Sequence, residues 1–460
     1  MDKKKEVYIP IEIKPRELLS QVYLAGELSK KGARVFIGSK SSIDHLVYEK
    51  ENNQGVYLYK GGGSSVEKFK NISQRVTSIT VLDQEVSPAV RSYDYIRIRF
   101  VEGSLKYVSR LYYIGLQAKE EAIRHFEGID PDIVKDFGWP RVDLWAPSKR
   151  YISSDEIKKI HSEFGDDFLL FASDFGTNSQ RLLEERYHRL ELFGAKKTKH
   201  DLEFMREMQK GAYKKFLQFV DFLHEIDSDD RIPPIIVRPH PGEDHKVWEE
   251  MTSNLTKIKV VYKGDITPWL LASKGLLHRG CTTAIQASIS EVNTGFLANY
   301  SDANSNSIVS QLSPSLHTLE EVAIWANSAS KASSYRANED IFKGHITFPE
   351  RGATETIAED IMTLTGNSVS QSNIKDKSNF KKVLVKLVVN LRRIKNKNKN
   401  KNKNKNKNPH GLAKLSKYNK MQGGIAFTEI KENLDTMYPN EKFDVVQIAN
   451  DLFLVEMSGR

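Results

Sequence analysis

Five short clusters in this 460-residue chain combine residue types that bind anions or move protons. The first, Arg238-Pro239-His240-Pro241-Gly242, follows an apolar run at residues 234–237. A histidine between two prolines has little backbone freedom. At a strand end it can donate to a phosphate, with Arg238 as a second donor, or simply complete a turn. The second, His278-Arg279-Gly280-Cys281-Thr282-Thr283, ends another apolar run and opens a helical pattern. Thr282, Thr283 and the free N–H groups of a helix start make an anion site, and the same residues also read as an ordinary N-cap. The third, Ser173-Asp174-Phe175-Gly176, lines a cleft through Asp174 or forms a plain turn.

The other two clusters lie in the first third of the chain. Lys14-Pro15-Arg16-Glu17 sets two cations at a helix start, where Arg16 opposes the helix dipole. A bound anion would explain both Lys14 and Arg16. In Asp83-Gln84-Glu85 two carboxylates follow a buried run and can serve as general base or nucleophile, or stand as solvated loop acids. The single cysteine, Cys281, has no base beside it in sequence and reads as a packing residue. One cysteine also excludes an intramolecular disulfide and a cysteine-rich zinc site.

The elements that must position these residues form two alternating series. Residues 7–13 and 35–37 read as strands around a helix that starts at Pro15 and stops at Gly32, a crossover that implies parallel pairing. Residues 78–82 form a buried strand, 93–101 fit strand or helix, and 110–126 read as a helix. A second series has strands at 167–172, 234–237, 258–262, 275–277 and 294–297. Its helices fall at 180–224 (with a break near Gly194), 267–273, 284–290, 318–326 and 355–364. The expectation is an α/β protein with two Rossmann-like, doubly wound domains, 1–150 and 151–368, facing an interdomain cleft. A basic low-complexity tail (369–422) and a small C-terminal appendage (423–460) follow.

The charge supports that division. The chain carries 69 basic and 60 acidic residues, a net +9. Residues 375–420 hold fifteen lysines and two arginines against Asp376 alone, or +16, which leaves −7 for the rest. The body is therefore mildly acidic, and nucleic acid is not an expected partner. Residues 380–394 mix apolar and basic residues as an amphipathic helix on an anionic membrane surface would. The Lys-Asn repeat beyond them reads equally as a solvated linker. Residues 1–6 are charged and Glu12 breaks the apolar run after them, so no signal peptide is expected, and no run is long enough to span a bilayer. The expected location is the cytoplasm, peripherally at the inner face of the cell membrane.

Taken in order, residues 10–17, Leu82-Asp83-Gln84-Glu85, Gly138-Trp139-Pro140-Arg141-Val142-Asp143-Leu144, Asp174-Phe175-Gly176, Arg238-Pro239-His240-Pro241 and Gly280-Cys281-Thr282-Thr283 form a series. It resembles the bacterial surface carbohydrate biosynthesis protein family. The second half is similar to GT-B glycosyltransferases that use CMP-activated acidic sugars. The resemblance covers residues 6–365 and departs at Gln84 and Asp174, where the family carries Glu and Asn.

It implies a GT-B-like fold and metal-independent transfer of an acidic sugar from a CMP-linked donor to a glycan or lipid-linked acceptor, with no cofactor. Glu85, then Asp83, would be the base. Arg238, His240, Pro241, Gly280, Thr282 and Thr283 would hold the donor phosphate, and Lys14, Arg16 and Asp174 the sugar. A CDP-polyol phosphotransferase, a nucleotide-sugar epimerase and a non-catalytic glycan-assembly scaffold are the alternatives.

Overall fold

Among the described residues, fourteen strands carry the architecture. In chain order they are β1 (Glu6–Ile11), β2 (Arg34–Ser39), β3 (Val56–Tyr59), β4 (Ser78–Leu82), β5 (Val108–Tyr112), β6 (Val134–Lys135), β7 (Leu169–Ala172) and β8 (Ile235–Arg238). There follow β9 (Ile258–Val260), β10 (Gly275–His278), β11 (Thr294–Leu297), β12 (Ser315–Leu316), β13 (Phe443–Ala449) and β14 (Leu452–Met457). The computed structural model describes residues 4–50, 54–61, 65–85, 96, 99–101, 103–193, 199–301, 307–328, 338–364, 420–421 and 423–459. All of the basic stretch expected at 369–422 except residues 420–421, and most of the ambiguous 93–101, lie outside the described residues.

The first sheet runs β13-β14-β2-β1-β3-β4-β5-β6 and the second β12-β11-β10-β7-β8-β9. All pairings are parallel except β13–β14 and β14–β2. Numbered within itself, the second sheet has the doubly wound order 3-2-1-4-5-6, and the parallel part of the first has 2-1-3-4-5-6. The fold is α/β, with two Rossmann-like domains facing a cleft in a GT-B-like plan. Strands such as β1 and β4 are buried on both faces, as strands of a parallel sheet covered on both sides are.

Helix α1 (Lys14–Lys30) begins as the sequence predicts, with Pro15 in its first turn. The Glu17 carboxylate reaches back to accept the Glu12 N–H at 2.7 Å, and Gly32 ends the turn at φ 90°. Residues 110–126, read as one helix, instead divide into β5 and the helix Leu116–His125. The reason is tertiary: Val108, Leu111 and Tyr112 are buried where β5 pairs with β4. The predicted 180–224 region is two helices, Gln180–Phe193 and Lys199–Asp227.

Two domain boundaries differ from expectation. The helix Ala353–Thr363 returns to the first domain, where the Asp143 carboxylate accepts the Ala353 and Thr354 N–H groups (2.9 and 2.7 Å) and caps its N-terminus. Arg110 and the Tyr112 hydroxyl hold Asp360 of the same helix at 3.0 and 2.7 Å. Residues 423–460 are no appendage either. The helix Phe427–Met437 packs on α1, and β14 pairs antiparallel with β2, so these residues complete the first sheet. Burial explains the join: Phe453 and Val455 on β14 and Leu434 on the helix are fully enclosed in the first core.

Gly26 makes the docking possible. A Cβ there would lie 2.3 Å from the Tyr438 ring, whose hydroxyl donates to the Tyr23 carbonyl at 2.8 Å. Gly26→Val should therefore lower stability by at least about 1–3 kcal/mol, the usual cost of overpacking. The readout is the urea midpoint, and a midpoint equal to the parent's would show that Tyr438 is not held there.

Candidate active site

Both sheets point the carboxyl ends of their strands into one cleft of about 1090 Å³. In such sheets ligands sit where the strand order reverses. For the second sheet that point lies between β7 and β10, so the loops that follow them, Ser173–Gly176 and Arg279–Thr283, flank it.

The two histidines at these strand ends share one local device. The Gly242 N–H donates to His240 Nδ1 at 3.0 Å, and the Gly280 N–H donates to His278 Nδ1 at 3.2 Å. An accepting Nδ1 places the proton of the neutral ring on Nε2. In His278 that nitrogen is internal, bonded to Ser313 Oγ at 2.8 Å, and complete burial pushes the pKa down to about 3. His278 is a structural strut. His240 lines the cleft and is exposed to it, and the cleft walls, followed by Arg16, hold its pKa below the ordinary histidine value. It is a neutral donor through Nε2 across the physiological range. Gly280 needs its freedom, since φ is 120° where β10 turns into the next helix.

That helix, Thr282–Ile289, has Cys281 as its N-cap and no side-chain cap. Thr282 and Thr283 are therefore its first helical residues rather than caps, and both line the cleft with Gly280 and Pro241. Burial, then the nearby Asp174 carboxylate, pushes the Cys281 thiol up to about 12, as suits an inert packing residue.

The predicted cations and acids fare unequally. Arg16 reaches the cleft and pairs with Glu85 at 3.5 Å. Burial acts to raise the Glu85 carboxyl, but Arg16 and Lys60 outweigh it and hold the pKa near 2. Asp174 lines the cleft and faces Arg279 Nε at 3.0 Å, with the Arg279 guanidinium 4.3 Å from the centre of the Phe175 ring. Arg238 lines the cleft but is a scaffold. It donates to the Lys263 and Gly264 carbonyls, both at 2.9 Å, and lies over Trp269.

Two expectations fail. Asp83 is wholly buried, clamped by Arg99 through bonds of 2.9 and 2.7 Å, and does not line the cleft. The period-two geometry of an extended chain faces Asp83 and Glu85 the same way, but the chain bends at Glu85, whose N–H donates to Asp83 Oδ1 at 3.2 Å. Lys14 points away to the C-terminal unit, donating to the Gly424 carbonyl at 2.6 Å and pairing with Glu429 at 2.7 Å. It does not line the cleft.

No family model and no curated protein matches this chain. Among solved structures it is similar to a UDP-GlcNAc 2-epimerase of Methanocaldococcus jannaschii in complex with UDP-GlcNAc and UDP. That match has 12 % identity and a TM-score of 0.49, over 78 % of this chain and 99 % of that one. It is similar also to S. aureus MnaA bound to UDP (10 %, TM-score 0.47, 78 % and 96 %). A third is the wall teichoic acid polymerase TagF (11 %, TM-score 0.42, 78 % and 88 %). Identities this low say nothing of chemistry.

Three residues that the sequence reading passed over organise the site. Glu243 is buried and accepts from Ser173 Oγ (2.7 and 2.8 Å), the Gly176 N–H (2.9 Å) and Trp248 Nε1 (2.8 Å). Arg141 lies over the Trp139 ring at 4.2 Å and donates to the Gln84 carbonyl at 3.1 Å. Burial, then Arg16, lowers its pKa to about 9, so it remains a cation on the cleft wall at neutral pH. Burial raises the carboxyl of Asp265, which also lines the cleft. Glu243 directly follows the His240 motif, and Arg141 lies in the Gly138–Leu144 motif, so both were within reach of the sequence. Among the described residues no group of His, Cys, Asp or Glu is placed to hold a metal ion.

The buried histidine sets a pH dependence. The folded pKa of His278 lies below the unfolded value, so between about pH 6.5 and 3 the unfolded chain takes the extra proton. Stability should fall as pH drops below 6.5, by up to about 1.4 kcal/mol per unit from this residue. Urea midpoints at pH 7, 6 and 5 should decline less steeply for His278→Gln than for the parent; equal slopes would place the proton uptake elsewhere.

Proposed function

We infer that the chain transfers a sugar from a nucleotide-activated donor to a glycan or lipid-linked acceptor in the assembly of a surface polysaccharide. The reading rests on one convergence: the His240 Nε2–H, after β8, and the N-terminus of Thr282–Ile289, after β10, line one cleft from the two sides of the second sheet's reversal point. Both suit a phosphate that gains negative charge as the sugar leaves. The bond from the anomeric carbon to the phosphate oxygen breaks, the acceptor oxygen bonds to that carbon, and the acceptor proton goes to a carboxylate. Glu85 is the carboxylate proposed, being ionised and on the opposite wall. Its low basicity makes it a weak base, so proton transfer would follow rather than lead carbon–oxygen bond formation.

In this proposal Arg16 holds the acceptor-side substrate, while Arg238 and Asp174 shape the loops around the phosphate. The donor is proposed to be CMP-linked and acidic, on the motif series alone. The protein would work in the cytoplasm, with the basic segment against the inner membrane face. Among the described residues no helix is long and apolar enough to cross a membrane.

Thermal-shift titration of the full chain with CMP, CDP and UDP tests the donor. A nucleotide at 100 times its Kd should add about 2.7 kcal/mol. Response to UDP alone would replace CMP as the donor nucleotide, and no response to any would leave a non-catalytic scaffold as the better reading. His240→Ala should cut turnover by about 10²–10³-fold, the usual loss on removing one donor to a developing anion, with an unchanged melting profile. Turnover at the parent's level would remove His240 from the reaction.

A further inference from the structure

The first domain has a reversal point of its own, between β1 and β3. Beside it, behind the cleft wall, lies a small polar cavity of about 10 Å³, at the lower limit for one water molecule. Arg16, Gln84, Glu85 and Arg141 line both this cavity and the main cleft. The ionisable residues around the cavity are three cations, Arg16, Lys60 and Arg141, and two carboxylates, Glu17 and Glu85. The carboxylates are engaged by Lys60 (2.6 Å to Glu17, 3.3 Å to Glu85) and by Arg16. Within this group one positive charge is left over, on the wall where Arg141 stands; the further carboxylate that acts on Arg141 is Asp265, which the second domain brings to the main cleft.

Gln84 sits in the middle of this group and is 5 % exposed. Neither its Nε2 nor its Oε1 has a hydrogen-bond partner among the described residues, and the same holds for Arg141 Nε and Gln21 Oε1. Buried polar atoms without partners are rare in folded proteins and are explained by a ligand, an ion or an ordered water. The cavity itself is too small for more than a water, so an anion can only approach from the cleft side. A carboxylate at position 84 would cancel the surplus charge and set a third acid beside Glu17 and Glu85. The amide leaves the charge in place and adds two donor hydrogens.

We propose that the cleft face formed by Gln84, Arg141 and Arg16 is a second anion subsite. It would receive a carboxylate or phosphate monoester of the substrate opposite His240, with Gln84 selecting for the anion. This rests on the nucleotide-dependent reading for which molecule carries the anion, but the subsite is defined by the first domain alone. The group bound is a compact oxyanion that takes hydrogen bonds from the Gln84 amide and charge from the two arginines. It comes either from the transferred sugar or from the acceptor.

The test uses the full chain and isothermal titration with glucuronate, glycerol 1-phosphate and neutral glucose, with and without the nucleotide that stabilises the protein most. One of the two anions should bind at least tenfold more tightly than glucose. Preference for glucuronate assigns the subsite to a sugar carboxylate, and preference for glycerol 1-phosphate assigns it to a phosphate-bearing acceptor. Gln84→Glu should reduce anion binding at least tenfold and leave nucleotide affinity within twofold. Gln84→Met, which keeps the shape and adds no charge, should reduce anion binding about fivefold and serves if the glutamate variant does not fold. Anion binding no tighter than glucose in the parent, or unchanged in a folded variant, overturns the subsite. Loss of nucleotide binding with the anion preference intact overturns the transferase reading and leaves the subsite standing.

Discussion

A buried carboxylate holds the second half of this cleft together. Glu243 collects the Ser173 hydroxyl, the Gly176 N–H and the Trp248 indole N–H, and so fastens the loop after β7 to the loop after β8. An enclosed carboxylate is tolerable only when its oxygens are matched by donors, and here they come from the loop after β7 and from the core helix that follows the His240 loop. Arg186 reinforces the join by donating to the Gly176 carbonyl at 2.7 Å. With the turn fixed in this way, His240 is held in the tautomer that presents Nε2–H to the cleft. The loop geometry that makes the site is set by a residue that does not itself line the cleft.

The two walls of the cleft use different electrostatic means. The second domain relies on neutral donors and backbone N–H groups, with Arg238 and Arg279 tied to carbonyls and to Asp174. The first domain relies on full charges, with Arg16, Lys60 and Arg141 set around Glu17 and Glu85. A neutral histidine and a helix end strengthen as charge builds on a leaving phosphate, and they require no proton release at neutral pH. Fixed cations bind a charge that is already present. The division suits a reaction in which one substrate gains negative charge while the other is positioned.

Much of this was legible in the sequence because strand ends and helix starts are local events. The clusters around His240, Thr282 and Asp174 reach one cleft, as their places at the ends of apolar runs imply, and Cys281 is inert. What escaped depends on contacts remote along the chain. Asp83 looks like Glu85 until Arg99 closes on it, and Lys14 looks like Arg16 until residues 424–429 arrive 410 positions later. The helical pattern at 110–126 is real in part, but pairing with β4 converts its start to strand. Residues 423–460 show their alternation clearly, yet nothing local tells that their partner strand is β2. Arg141 and Glu243 could have been found, the first inside a motif already noted and the second directly after one, by asking what must be buried to hold that motif still.

The pairing of β14 with β2 alters the physical status of the lysine-rich stretch. A terminal tail has one attachment, and its charge can be cut away without touching the fold. Here the chain leaves the first domain after the helix Ala353–Thr363 and re-enters it to supply a helix and two strands, so both flanks of the stretch are bolted to the same body. Any anionic surface that engages those lysines would hold the protein through its first domain. The second domain, whose Ile285, Ile289 and Val309 pack into that domain's core, would be held at the surface with it.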